Sequence, residues 1–303
     1  MLRQAWNAYR GWAKAARDLQ SATQRWNLAS LFCVVAAAVF GAAAAIAPAT
    51  VSAWVAGAAT VASAAGAYLG KQYLASGVEA GWIQARATAE GIKSECYRHA
   101  ALAGAYAVGG ADAAKALAAN AAAIVKQATD KGLVRADNPV PDSGDKREPP
   151  VPMTKDWYSS ARIQDQIAYY RDARARNQKD ADELWWIAFA AGFLAIVFGA
   201  AGIASAPRFA PWIGAMTTVA ASVAAYGLID RRKYLIASYA AMQARLEEIL
   251  GLDASAPMSL ADLVSTTEDL LESEHRAWLP QMLAIQHTAP PPPKAQGQDQ
   301  PGP

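Results

Sequence analysis

Two stretches of this chain carry almost no charge, and their length sets the elements the sequence predicts. From Asn27 to Gly70 there is no Asp, Glu, Lys, Arg or His. A helix climbs 1.5 Å per residue, so roughly 20 residues cross a hydrocarbon core of about 30 Å. The run is long enough for two crossings, and Pro48 near its middle divides it into helices over about 28–47 and 51–69. A second run, Leu184 to Ile229, holds one charge, Arg208, beside Pro207 and Pro211. It divides into helices over about 184–206 and 209–229. The third helix has Trp185, Trp186, Ile187, Phe189, Phe193, Leu194, Ile196 and Phe198 in one stretch. A soluble helix would show a polar face there, and this one has none.

Around the uncharged runs the pattern changes to amphipathic helices. Before the first run, Trp6, Tyr9 and Trp12 alternate with Arg3, Arg10, Lys14 and Arg17, without the cleavage site of a secretory signal. Before the second, Asp156 reads as an N-cap, followed by a face of Ile163, Ile167, Tyr170 and Arg174. Ile236, Tyr239, Met242, Leu246 and Ile249 form a stripe that Gly251 should stop. Ser259 caps a last helix with Leu260, Val264, Leu271, Trp278 and Met282, widened by Leu263 and Leu270. Val78 to Lys131 supplies weaker, alanine-rich stripes in the first half. These faces predict a small cytoplasmic helical bundle continuing from the spans.

The second helix of each hairpin also repeats. Trp54 matches Trp212, Thr60-Val61-Ala62 matches Thr218-Val219-Ala220, and Ala67-Tyr68 matches Ala225-Tyr226. The expected organisation is a two-span helical unit over 1–131, an extended proline-rich linker over 132–156, a second two-span unit over 157–287, and a disordered Pro/Gln tail over 288–303. The fold class is an all-α membrane protein with two tandem hairpins.

Charge adds orientation. Lys plus Arg number 28 against 26 acidic residues, for a net charge of +2, so no nucleic-acid footprint exists. The basic residues flank the spans, while the two hairpin turns hold only Arg208. Both hairpins should dip outward and return, leaving both termini in the cytoplasm of a bacterium, at its inner membrane. Arg231, Arg232 and Lys233 directly after the last span act as a topology signal and as contacts to anionic lipid. Cys33 and Cys96, one in a span and one in a polar helix, read as reduced thiols.

Candidate chemistry is sparse. His99, His275 and His287 are scattered, no phosphate-cradling glycine loop occurs, and no catalytic, cofactor or metal constellation is predicted. The spans lack buried charge, which argues against a proton-coupled pump. They carry small residues instead: Gly66 and Gly70 in one, Gly192, Gly199 and Gly202 in another, all candidates for close helix packing. Thr60, Ser63, Thr218 and Ser222 either bond back to their own helices or line a weakly polar pore in an oligomer.

One stretch resembles a known family. Arg162-Ile163-Gln164-Asp165-Gln166-Ile167-Ala168-Tyr169-Tyr170-Arg171 before a two-span hairpin, with Glu268 to Trp278 closing the unit, is similar to the SMODS- and SLOG-associating two-transmembrane effector (SLATT) domains. The resemblance implies motif roles for Arg162, Asp165, Gln166, Tyr169, Tyr170, Glu274 and Trp278. It also implies a non-enzymatic effector of bacterial conflict systems that oligomerises in the bilayer and opens a pore when a cytoplasmic sensor or nucleotide-second-messenger partner signals. A passive membrane scaffold and a constitutive small channel are the alternatives.

Overall fold

The computed structural model describes residues 1–75, 78–130, 147–204, 207–229 and 232–283. Among these every regular element is helical. α1 (Leu2–Ile46) is a single helix of 45 residues, so the basic amphipathic segment and the first span form one rod. At 1.5 Å per residue it is about 68 Å long, twice what a bilayer core requires. It ends at Ala47, whose backbone is extended as a residue before proline prefers. α2 (Ala49–Ala75) starts at once, its first turn closed by the Val51 and Ser52 N–H groups on the Pro48 carbonyl. α3 (Val78–Ala100) and α4 (Gly110–Asp130) follow, linked by a tight connection in which Gly104, Gly109 and Gly110 all take positive φ.

The second half repeats this order. α5 (Lys155–Tyr158), a π turn over Ser159–Gln164 and α6 (Asp165–Ala204) make another unbroken rod. α7 (Ala210–Ile229), α8 (Arg232–Ser255) and α9 (Leu260–Leu283) complete the chain. Two boundaries differ from the sequence reading. The N-cap is Thr154, whose hydroxyl accepts the Trp157 N–H, so Asp156 lies inside the first turn, where its charge suits the helix dipole. α8 also runs past Gly251 to Ser255. A mid-helix glycine costs only about 1 kcal/mol, and Asp253 beyond it is held by Lys155 at 2.6 Å and by the Met258 N–H at 2.8 Å. Ser259 does cap α9, accepting the Asp262 N–H at 3.1 Å.

Among the described residues four helices are long and apolar enough to cross a membrane. They stand as an open row. α2 packs on α1, α1 on α7, and α7 on α6; among the described residues α2 and α6 at the two ends make no more than marginal contact with each other. The large side chains Phe32, Trp54, Val61, Trp186 and Ile196 point out of this row, as lipid contact requires.

The core lies in the polar bundle. Trp6, Trp12, Ile92, Tyr97, Leu117, Tyr158, Ile163, Leu246 and Leu263 form one buried cluster drawn from both halves. Met153 is buried and the Arg147 carbonyl accepts from the Tyr97 hydroxyl, so the end of the expected linker lies against the bundle. The rest of the linker, 132–146, and the tail, 288–303, lie outside the described residues.

Candidate functional site at the junction of the two halves

α3 is the hub of this bundle. Ile83, Ala85, Ala89, Ile92, Cys96 and Tyr97 are buried over a broad face of it, with α1, α4 and α9 packed on it. Its alanines let three neighbours come close. No single apolar stripe could serve three partners, which is why its periodicity reads as weak.

Charge is placed inside this packing. Arg162, on the π turn, is 2% exposed and Glu268, on α9, is fully buried. Arg162 Nε and Nη2 donate to the two carboxylate oxygens at 2.8 Å each, and the Tyr158 hydroxyl adds a third bond at 3.0 Å. The guanidinium lies 4.7 Å from the centre of the Tyr97 ring on α3. Burial opposes ionisation of Glu268, yet the Arg162 charge and these hydrogen bonds outweigh it and hold the carboxyl below the usual range. Burial likewise opposes the Arg162 charge, but Glu268 keeps that guanidinium protonated. A forked, charge-assisted pair of this kind fixes register as well as distance.

Around it the halves are joined by further polar contacts. Arg98 on α3 reaches Asp269 at 2.7 Å and Glu272 at 3.2 Å on α9. Arg86 donates to the Tyr169 hydroxyl at 3.0 Å. Lys93 is buried 3.7 Å from Glu90 and 5.4 Å from the Tyr9 ring centre. Burial lowers its amine to about 8 from 10.5, Glu90 offsetting part of the effect. Between those values the unfolded chain holds the extra proton, so stability rises as pH climbs from about 8 to 10.5. The same shift means the charged amine costs about 3 kcal/mol at neutral pH. Lys93→Met should therefore raise the melting temperature of detergent-solubilised protein at pH 7 and flatten that slope.

A cavity of about 390 Å³ opens between α3, α4 and α9, with Gln84, Thr88, Glu90 and Ser94 on one wall and Arg162 and Glu268 at its floor. Among the described residues Arg162 Nη1 and Ser94 Oγ line it without a hydrogen-bond partner. Three acidic side chains, Glu90, Glu268 and Glu272, offset the two arginines, Arg162 and Arg276, so the cavity is no anion trap. Among the described residues no group of His, Cys, Asp and Glu could hold a metal ion. Burial pushes the Cys96 thiol far up, which makes it an inert core residue.

This geometry falls inside a recognisable segment. Residues 158–278 match the family described as SMODS and SLOG-associating 2TM effector domain 1. That segment is similar to the SLATT domains. Residues 6–112 match a second family, described only as a protein of unknown function (DUF4231). No curated protein and no solved structure matches the chain.

Within the matched segment the motif residues separate by role. Arg162 is the buried partner of Glu268, and Asp165 pairs with Arg147 at 3.3 Å. Tyr170 is buried and, with Tyr169, packs on Tyr239 of α8, at ring separations of 5.7 and 6.4 Å. Gln166 is half-buried on α6 and Glu274 half-buried on α9. Trp278 is in α9, its side chain outside the described residues. The motif reading missed Glu268 as the partner, although a signal existed. Glu268 stands one turn after Val264, where the α9 stripe calls for an apolar residue.

The span residues divide similarly. A Cβ on Gly66 would lie 3.2 Å from Cys33 Cβ, and one on Gly70 3.8 Å from Ser30 Oγ, so both serve the α1–α2 contact. Gly199 approaches Ile213 at 3.9 Å, while among the described residues Gly192 and Gly202 meet nothing within 4 Å. Thr60 and Thr218 donate to the Ala56 and Gly214 carbonyls at 3.0 and 2.8 Å, bonding back to their own helices. Ser63 lies on an open groove beside α1, and Ser222 is half-buried on α7. Arg232 pairs with Asp180 on α6, Lys233 is exposed, and Arg231 lies outside the described residues.

Proposed function

We propose that this chain is a membrane effector that permeabilises the bacterial inner membrane when copies associate. The observation that carries the reading is the SLATT match at 158–278, together with spans that hold small residues and no charge at depth. Its family description associates it with SMODS and SLOG, so the partner expected here is a cytoplasmic sensor or nucleotide-signalling protein. Basic residues at the span ends favour both termini and the bundle in the cytoplasm.

Two rods connect the parts. α1 and the α5–α6 helix run unbroken from the bundle into the spans. A shift where the halves meet is thereby transmitted to the spans without a flexible joint. Self-association then brings the exposed faces of the spans together around a weakly polar path, with the bilayer as the only substrate.

Inducible expression of the chain fused to a drug-controlled dimeriser, with a membrane-potential dye, tests this. Depolarisation within minutes of adding the drug is the expected result. Unchanged potential at verified membrane abundance contradicts it.

A further inference from the structure

The contact between the halves is one-sided. α1 lies on α7, and α3 lies on α9. By order within each half, a first helix meets a second and a third meets a fourth. A two-fold relation would repeat both contacts with the halves exchanged, placing α6 on α2 and α8 on α4. Among the described residues neither pair makes more than marginal contact. The halves are therefore joined head to tail, and such a contact leaves an unused face at each end. At one end that face is α2 with α4; at the other it is α6 with α8.

We infer that a second copy of this chain fills the opening, α2 and α4 of one chain seating on α6 and α8 of the next. The inference specifies the self-association that the proposed function assumes. Continuity carries it: every junction along the extended row then repeats the first-on-second and third-on-fourth contacts already present inside the chain. The surfaces also fit. Trp54, Val61 and Tyr68 recur every seven residues on α2 and are 82%, 70% and 65% exposed. Beside them a groove of about 520 Å³ is lined by Ala37, Ala59, Ala64, Ala67, Thr60 and Ser63. α6 offers bulk to fill it in Phe189, Phe193 and Ile196, 57%, 52% and 71% exposed for Phe193, Phe189 and Ile196 respectively.

Both hairpins enter from the same side, so successive copies stand upright in the bilayer. A head-to-tail contact then either closes into a ring around the membrane normal or continues as an open row. A closed ring has an interior, which two-fold dimers of an open row lack.

Disulfide trapping tests this. Val61 and Ile196 both lie near the middle of their spans, so V61C of one chain meets I196C of the next at similar depth. Native membranes carrying V61C, I196C or both, with Cys33 and Cys96 left in place, are oxidised and run without reductant. The chain with both substitutions should give dimers, trimers and higher multiples. Each single variant should stay monomeric, and a mixture of the two singles should stop at dimers. A single variant that dimerises with itself, or a double variant that stays monomeric at wild-type abundance, overturns the inference. Multimers without any leak would sink the effector reading and leave the arrangement standing; a leak without multimers would do the reverse.

Discussion

Glu268→Ala should destabilise the protein by about 3–5 kcal/mol, the usual cost of stranding one charge of a buried pair. Arg162 would lose the partners of Nε and Nη2, its Nη1 has none among the described residues, and the Tyr97 ring 4.7 Å away would remain. The double variant R162M/E268L should recover most of that loss, because replacing both charges removes the desolvation penalty with them. Denaturant unfolding of detergent-solubilised protein distinguishes the two outcomes. The pair should also confer acid sensitivity. Glu268 is held below its ordinary value in the folded state. Its contribution is therefore present above the unfolded glutamate value of about 4.3 and is lost as pH falls through the lower folded value. If the single and double variants are equally unstable, the loss does not come from a stranded Arg162 charge.

Trp6→Ala should cost a comparable 3–5 kcal/mol. The indole is fully buried, 4.7 Å from the Tyr9 ring and 5.9 Å from Tyr97, at the place where α1 meets the α3 hub. Trp54→Ala is the contrasting case. That indole is 82% exposed on α2, so its loss should leave monomer stability within about 0.5 kcal/mol. Limited proteolysis of the polar bundle reads both: rapid cleavage near the N-terminus for Trp6→Ala, wild-type resistance for Trp54→Ala. Equal resistance in both variants would show that the aromatic face of α1 is not a core element.

These two tryptophans mark where the sequence was readable. The spans were legible because forty uncharged residues have no stable place in water, and the order of helices followed from their flanks. The fate of the first amphipathic helix was not. Trp6, Tyr9 and Trp12 among basic residues fit a lipid surface as well as a protein core, and only the position of α3 decides for the core. α3 itself hides its role, since small side chains buried over a broad face leave no narrow apolar stripe. The Arg162–Glu268 pair joins residues more than one hundred positions apart. Each half of it was visible as a charge among apolar neighbours, but nothing local says that the two meet. The row of spans is likewise a product of packing between the halves, which no pattern within either hairpin encodes.

The central claim is that associated copies open the bilayer, and purified protein in sealed vesicles tests it most directly. The chain carrying V61C and I196C is reconstituted at low density with a trapped ion-sensitive dye, then oxidised. Release of the ion gradient on oxidation, reversed by reductant and absent from either single variant, is the predicted result. Covalent multimers confirmed on a gel while the gradient persists would contradict the account.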